Sequence, residues 1–163
     1  MTSFEDFCAS VRPSLVGALA LHCGDRATAE ELAQEALVRA WQRWDQPDLL
    51  KEPAAWTYRV AFNLSTSWYR RRSAERRARR REGDPHQVQP DHAQAVVVRA
   101  AVASLPPRRR TALVLRYYLD LSVAQAAVVM GCREGTVKAL CAQAVASLRA
   151  LPTFAHAEDF DHE

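Results

Sequence analysis

The stretch SVAQAAVVMGCREGTVKALCAQAVASL, from Ser122 to Leu148, contains two short helical patterns separated by a turn. Ser122 and Gln125 have the spacing of a capping box, which begins a helix. Gly131 stands where a helix commonly ends in a residue with positive φ. A second helix then follows, with an expected buried stripe of Val137, Leu140, Ala144 and Leu148. This stretch therefore predicts a helix-turn-helix.

The second helix of such a motif enters the major groove of DNA, while the first crosses the backbone. With the apolar stripe buried, seven residues are expected at its N-terminus or on its outer face: Arg133, Glu134, Thr136, Lys138, Ala139, Ala142 and Gln143. Arg and Lys can reach phosphate or guanine, and Gln can pair with adenine. The alternative is a helical hairpin that packs inside an all-α domain and binds no DNA.

A block of positive charge is the second signal. Residues 68–81, WYRRRSAERRARRR, contain eight Arg and one Glu, a net charge of +7 in a chain whose total is +3. Such a block attracts phosphates, and Trp68 and Tyr69 offer rings on which unpaired bases can stack. At most one of these adjacent rings should be buried, and we expect Trp68 to be exposed. A solvated helix end with core aromatics remains an alternative, whereas the lack of large apolar residues disfavours a membrane-surface helix.

An acidic helix face is the third pattern. A helix from about Thr28 to Trp44 would be capped either by Asp25 or by a capping box of Thr28 and Glu31. Its expected buried stripe comprises Ala29, Leu32, Ala33, Ala36, Leu37, Ala40, Trp41 and Trp44. On the opposite side lie Glu31, Gln34, Glu35 and Val38. Taken alone, such a face is usually just a solvated surface.

The chain divides at residues 82–92, EGDPHQVQPDH, which contain two Pro and one Gly without apolar periodicity and so predict a flexible linker. On either side we expect helical domains at residues 1–81 and 93–151, followed by an acidic tail at 152–163. Because alternating β-branched residues are nearly absent, the predicted fold is all-α, with two small helical domains. Further helices are expected over residues 3–22, from Pro53 into the arginine block, over 93–104, and around Leu113, Leu115, Tyr117 and Tyr118.

Several classes of protein are disfavoured. No apolar run approaches the roughly 20 residues that span a bilayer, and the N-terminus lacks a positively charged lead-in, so we expect a cytoplasmic protein without a signal peptide. The five His are scattered, and no constellation suits catalysis or metal binding, so no enzyme, metal or cofactor is expected. Buried free thiols are the expected state of Cys8, Cys23, Cys132 and Cys141.

Three stretches resemble one family. Residues 25–41, DRATAEELAQEALVRAW, resemble region 2 of the extracytoplasmic-function (ECF) group of bacterial RNA polymerase sigma factors, in the sigma-70 superfamily. Residues 56–72 resemble the part that follows in region 2. Residues 101–149 resemble region 4, with Leu105-Pro106-Pro107-Arg108, Met130-Gly131-Cys132 and Gly135-Thr136-Val137-Lys138 as the motifs that carry the likeness.

This resemblance implies a sigma factor that binds RNA polymerase core and directs promoter recognition in transcription initiation. Region 2 would bind the β′ clamp helices through Asp25, Glu31, Gln34 and Glu35. It would melt and read the minus-ten element through Asn63, Trp68, Tyr69, Arg70, Arg71 and Arg72. Region 4 would touch the β flap and read the minus-thirty-five element through Arg133, Glu134, Thr136, Lys138 and Gln143. An anti-sigma factor is a further partner that the resemblance allows.

Some positions depart from the family pattern. Ala139 and Gln143 stand where the family usually has Ser and Arg, so two expected DNA contacts are replaced. Phe62 replaces a common Arg, and Ser67 a common Asp. The main alternative function is a stand-alone helix-turn-helix transcriptional regulator. Such a protein would need a dimer interface, and the sequence shows no spare apolar surface for one.

Overall fold

The computed structural model describes residues 3–82 and 93–154, which are helical and contain no strand. The first half comprises α1 (Phe4–Cys23), α2 (Arg26–Gln42), α3 (Pro47–Lys51) and α4 (Pro53–Glu82). The second half comprises α5 (Ala93–Ser104), α6 (Pro107–Leu113), a π-helical turn (Val114–Tyr118), α7 (Val123–Met130) and α8 (Glu134–Arg149). The predicted all-α fold is therefore confirmed. Of the expected linker and tail, residues 83–92 and 155–163 lie outside the described residues.

The first half is built on close contact between α1, α2 and α4. Asp25 caps α2 by accepting a hydrogen bond from the backbone N–H of Thr28 at 2.9 Å, so the first of the two predicted caps is the one observed. Along α2 the fully buried side chains are small, which lets the neighbouring helices approach closely: Ala29, Ala33, Ala36 and Ala40.

The expected burial of Trp41 is wrong. Its side chain is 64% exposed, because it lies two turns beyond Gln34 and therefore on the same line of the helix surface as that polar residue. Val38, one turn before Trp41, is also exposed. Apolar residues recur every three to four positions along α2, and this pattern predicts Trp41 in the buried stripe. In the structure, Trp41 stands about 100° from Ala40 around the helix axis, which turns it towards solvent.

The second half departs from the predicted continuous helix before the helix-turn-helix. α6 ends at Leu113, and the chain continues as a π-helical turn that contains Tyr117 and Tyr118. Beyond it, Asp120 has a φ of 52°, in the left-handed region that Asp tolerates better than most residues. These two features redirect the chain from α6 into α7.

The two halves contact each other. α1 packs against α5, α6 and the π-helical turn, and α4 packs against α7. Buried side chains from both halves form one apolar cluster, which includes Leu19 and Phe62 from the first half and Leu105 and Leu113 from the second. The flexible linker predicted from the sequence gave no indication that the two halves contact each other.

All four cysteines are free thiols, but their expected burial holds for one of them. Cys141 is buried, with its Sγ 3.6 Å from the carbonyl oxygen of Ala112. Cys8, Cys23 and Cys132 are half-buried.

Candidate nucleic-acid interface

The helix-turn-helix has the caps that its sequence predicts. The N–H of Gln125 donates to Oγ of Ser122 at 3.1 Å, and the N–H of Ser122 donates to Oε1 of Gln125 at 2.9 Å. Gly131 ends α7 with a φ of 62°, a conformation that Gly adopts without a Cβ penalty. After the turn, Arg133 is the residue that precedes α8.

One face of α8 is buried and the other is open. Val137, Cys141 and Ala144 are buried, while Leu140 and Leu148 are half-buried, so the predicted apolar stripe is confirmed with Cys141 as an addition. The predicted outer face is exposed at every position: Arg133, Glu134, Thr136, Lys138, Ala139, Ala142 and Gln143. This face is free to approach a DNA groove.

Arg109 of α6 is a residue of this surface that sequence reasoning missed. Its Nε donates a hydrogen bond of 3.1 Å to Oε1 of Gln143, which lies 34 positions away in the chain. No spacing rule connects two residues so far apart, and the contact arises because α6 packs against α8.

The arginine block forms the C-terminal part of α4, as predicted. Its arginines are exposed, and the last three, Arg79, Arg80 and Arg81, lie in the final turn, where the helix dipole favours positive charge. Asn63 is exposed as well, two to three turns earlier in the same helix. A long cationic helix surface is therefore available to a phosphate backbone.

Both aromatic residues at the start of the block are half-buried, so the expectation that Trp68 is exposed is wrong. The guanidinium of Arg72 lies 5.5 Å from the centroid of the Trp68 ring, one turn further along α4. The guanidinium of Arg110, from the second half, lies 5.0 Å from the centroid of the Tyr69 ring. A cleft of about 190 Å³ adjoins both rings and is also lined by Arg72, Arg76, Ala103 and Arg110.

The acidic residues of α2 are exposed, but they have different local roles. The carboxylate of Asp25 accepts hydrogen bonds from Oγ1 of Thr28 at 2.5 Å and from its backbone N–H, and these bonds lower the pKa of Asp25. Glu35 pairs with Nε of Arg39 at 2.7 Å, whereas Glu31 and Gln34 point into solvent. Asp25 therefore serves as the N-cap of α2.

An apolar groove adjoins this acidic face. It encloses about 510 Å³ between α1 and α2 and is lined by Phe4, Glu5, Cys8, Arg12, Gln34, Leu37, Val38 and Trp41. Exposed apolar side chains that cluster in one patch are typical of surfaces that protein partners bind. Trp41 belongs to this surface rather than to the core.

Within residues 3–82 and 93–154, no group of three or more His, Cys, Asp and Glu side chains is placed to hold a metal ion. No helix in the same residues is both long enough and apolar enough to cross a bilayer.

Comparisons with known proteins agree with this arrangement. The family model "Sigma-70 region 2" matches residues 8–75, and "Sigma-70, region 4" matches residues 95–148. The ECF RNA polymerase sigma factor SigL of Mycobacterium tuberculosis is 37% identical, over 77% of this chain and 75% of the relative. The chain belongs to the ECF group of the sigma-70 family. This membership favours a sigma factor over a stand-alone regulator.

Another relative supports the same family, and two solved structures share the fold. The RNA polymerase sigma-E factor of Streptomyces avermitilis is 30% identical over 90% of this sigma factor and 83% of the relative. The sigma factor RpoE, solved in complex with the anti-sigma factor NepR from Bartonella quintana, matches with a TM-score of 0.73 and 24% identity, over 90% of this chain and 94% of that one. CnrH, solved with the cytosolic domain of CnrY, has a TM-score of 0.69. At this identity, the likeness to the solved structures shows the fold alone.

Proposed function

We propose that this sigma factor binds RNA polymerase core through one face of α2 and guides the polymerase to promoters with two separate DNA-binding surfaces. The main support for this proposal is that one ECF sigma chain contains two exposed surfaces suited to DNA. These are the recognition helix, α8, and the cationic end of α4. Neither surface alone distinguishes a sigma factor from other DNA-binding proteins.

The polymerase-binding surface comprises Glu31, Gln34 and Glu35 together with the apolar Val38 and Trp41. Acidic groups suit the basic clamp site that the family resemblance implies, and a large exposed aromatic residue is a frequent anchor at protein interfaces. Asp25 contributes by fixing the start of α2, since its carboxylate already accepts two hydrogen bonds.

The surface on α4 would bind single-stranded DNA, and the surface on α8 would bind duplex DNA. Asn63, Trp68, Tyr69 and the run Arg70–Arg72 would hold the unpaired strand of the minus-ten element, with ring stacking worth roughly 1–3 kcal/mol for each base. Arg133, Glu134, Thr136, Lys138 and Gln143 would read the duplex minus-thirty-five element from the exposed side of α8.

We propose two domains, at residues 1–81 and 93–151, and the matched regions fall inside them. The protein would act in the cytoplasm as a DNA-binding regulatory subunit without enzymatic activity. An anti-sigma factor is a further partner in this proposal, because the similar sigma factor RpoE was solved in complex with one.

Binding measurements with and without core polymerase test the proposal. The isolated chain should bind promoter duplex weakly and with little sequence preference, and specificity should appear when core is added, because each readout surface is small and core must hold both at the spacing of the two promoter elements. Tight, sequence-specific binding of the isolated chain at physiological salt would contradict the proposal and favour the stand-alone regulator.

A further inference from the structure

The last two turns of α4 differ from the rest of that helix in their exposure. Residues 74–81, AERRARRR, are exposed at every position, and these eight residues are called the arginine arm below. Every earlier stretch of four residues in α4 includes at least one buried or half-buried side chain. The arginine arm therefore extends beyond the part of α4 that packs against other helices.

The arginine arm concentrates positive charge. It contains five Arg and one Glu, a net charge of +4. Like charges four positions apart, as in Arg76 and Arg80, weaken a helix. Among the side chains that the structure describes, no ion pair includes an arginine of the arm, and Nε of Arg77 donates to the carbonyl oxygen of Ser73 in its own helix at 3.4 Å. The arm is thus a cationic surface suited to an anionic ligand.

Three arginines of the arm continue the candidate minus-ten surface. At about 100° per residue, Arg76, Arg79 and Arg80 fall on the side of α4 that carries Trp68 and Arg72. Arg76 also lines the cleft beside the Trp68 ring. From Arg72 to Arg80 the helix rises about 12 Å. A row of positive charge therefore runs from the candidate strand site to the end of the helix.

The composition of the arm indicates which anion it suits. Residues 70–81 contain no aromatic and no large apolar residue. Sites for single-stranded DNA combine charge with aromatic rings, and helices that bind membrane surfaces bury large apolar side chains. Duplex DNA instead presents one negative charge for about every 1.7 Å of its axis, and arginines bind it without reading sequence. The arm therefore fits the phosphate backbone of a duplex.

The direction of α4 indicates which part of the promoter the arm would meet. Asn63 and Trp68, which would hold the minus-ten element, precede the arm in the helix. The chain that follows the arm leads to the second half, whose α8 would read the minus-thirty-five element. The arm therefore points from the first element towards the second. Its length of about 12 Å corresponds to three or four base pairs, at about 3.4 Å each.

We propose that the arginine arm is a further DNA-binding site, in which Arg76, Arg79 and Arg80 bind backbone phosphates of the duplex between the minus-ten and minus-thirty-five elements. It reads no bases, and it anchors the double strand next to the point where the strands part. The inference rests on the proposed function, which sets the orientation of the chain on the promoter.

Holoenzyme binding to two forked templates tests this site. Both templates carry the unpaired minus-ten strand. The long one adds about ten base pairs of upstream duplex, one helical turn, and stops short of the minus-thirty-five element, whereas the short one ends at the minus-ten element. The variant replaces Arg76, Arg79 and Arg80 together with Gln, a residue that favours helix about as well as Arg does.

On the long template, the triple variant should reduce the slope of log K against log salt by about 2.7, since each phosphate contact contributes about 0.9. The advantage of the wild type should therefore shrink about 40-fold between 50 mM and 200 mM salt. On the short template the two proteins should bind alike. Wild-type holoenzyme on a long template with uncharged methylphosphonates in the upstream duplex should show the same reduction in slope.

Single variants provide the matched control for charge. Arg80→Gln should reduce the slope on the long template by about 0.9. Arg99→Gln, at an exposed arginine of α5 outside the proposed DNA surfaces, should leave the slope unchanged. Thermal unfolding and co-purification with core should be the same for the triple variant as for wild type, because the arm packs against no other helix.

Three results would overturn the site. The first is an unchanged slope on the long template. The second is an equal loss of binding on both templates, which would assign the arm to the unpaired strand. The third is loss of co-purification with core, which would assign the arm to polymerase. Failure of the proposed function is distinguishable, because wild-type holoenzyme would then bind neither template.

Discussion

Nε of Arg109 donates a hydrogen bond of 3.1 Å to Oε1 of Gln143 on the exposed side of α8. One of the two acceptor sites of the Gln143 amide oxygen is therefore already occupied. Recognition of adenine by Gln needs both the amide oxygen and the amide NH2 group, whereas guanine offers acceptors alone in the major groove. The pair of side chains presents hydrogen-bond donors, a pattern that suits guanine or phosphate better than adenine.

We expect this pair to set the base preference at the promoter position that α8 brings opposite Gln143. With core polymerase and a promoter library randomised over the minus-thirty-five element, the wild type should enrich G there. Arg109→Ala frees the amide oxygen and should shift the preference towards A, since a good bidentate contact discriminates by about 1–3 kcal/mol. An A preference in the wild type that Arg109→Ala leaves unchanged would contradict this role. Arg108→Ala, on a neighbouring exposed Arg of α6, is the control.

Charge reversal on α2 tests the polymerase-binding face. Glu35→Lys, alone or with Glu31→Lys, should abolish co-purification with core, because like charges then meet at the clamp. Thermal stability should barely change, since the exposed Glu35–Arg39 pair contributes at most about 1 kcal/mol. Glu30→Lys is a matched control, because it breaks the equivalent i,i+4 pair with Arg26 on the same helix. Equal core binding by Glu35→Lys and Glu30→Lys would show that this face is an ordinary solvated surface and does not bind polymerase.

Substitution of the two aromatics should affect strand separation more than initial binding. Trp68→Ala with Tyr69→Ala removes stacking worth roughly 1–3 kcal/mol for each base, and that energy is gained only after the strands part. Permanganate footprinting should show fewer open complexes, and a pre-melted template should restore transcription. Both rings are half-buried, so the Tm for thermal unfolding of each single-variant protein is measured as the control. Large losses of Tm without rescue by the pre-melted template would assign these rings a structural role.

His22 makes stability depend on pH. Burial, with a smaller effect from Arg110, lowers the pKa of His22 from 6.5 to about 4. The unfolded chain therefore takes up a proton at a higher pH than the folded chain does, and folding stability falls as pH drops from about 6.5 towards 4. By linkage, we expect a loss of about 2 kcal/mol between pH 7 and pH 5. Denaturant unfolding should show this loss in the wild type and a much smaller one in His22→Gln. Equal losses in both proteins would show that other groups are responsible.

Sequence patterns were sufficient for features governed by neighbouring residues. The capping box of Ser122 and Gln125, the positive φ of Gly131 and the long helix through the arginine block each depend on short-range geometry, and each is present. The predicted burial of Trp41 is wrong because successive residues of a helix are rotated by about 100° from each other. A residue at the edge of an apolar stripe can therefore face solvent.

Contacts between distant residues could not be predicted in the same way. Arg110 appeared as one of three consecutive arginines, yet it is the buried one, because it meets the carbonyl ends of two other helices. The bonds from His22 to Ser65 and Thr111 join residues that are 43 and 89 positions apart. Periodicity within a helix carries no information about such pairs, so the contact between the halves emerged from the structure alone.

Run-off transcription with purified core polymerase on a promoter library, read by sequencing, tests most directly whether the chain is a sigma factor. We expect transcripts that depend on the chain, start at a defined distance from two short shared elements, and disappear with Glu35→Lys but not with Glu30→Lys. Core polymerase that gives the same transcripts with and without the chain would contradict the assignment of this protein as a sigma factor.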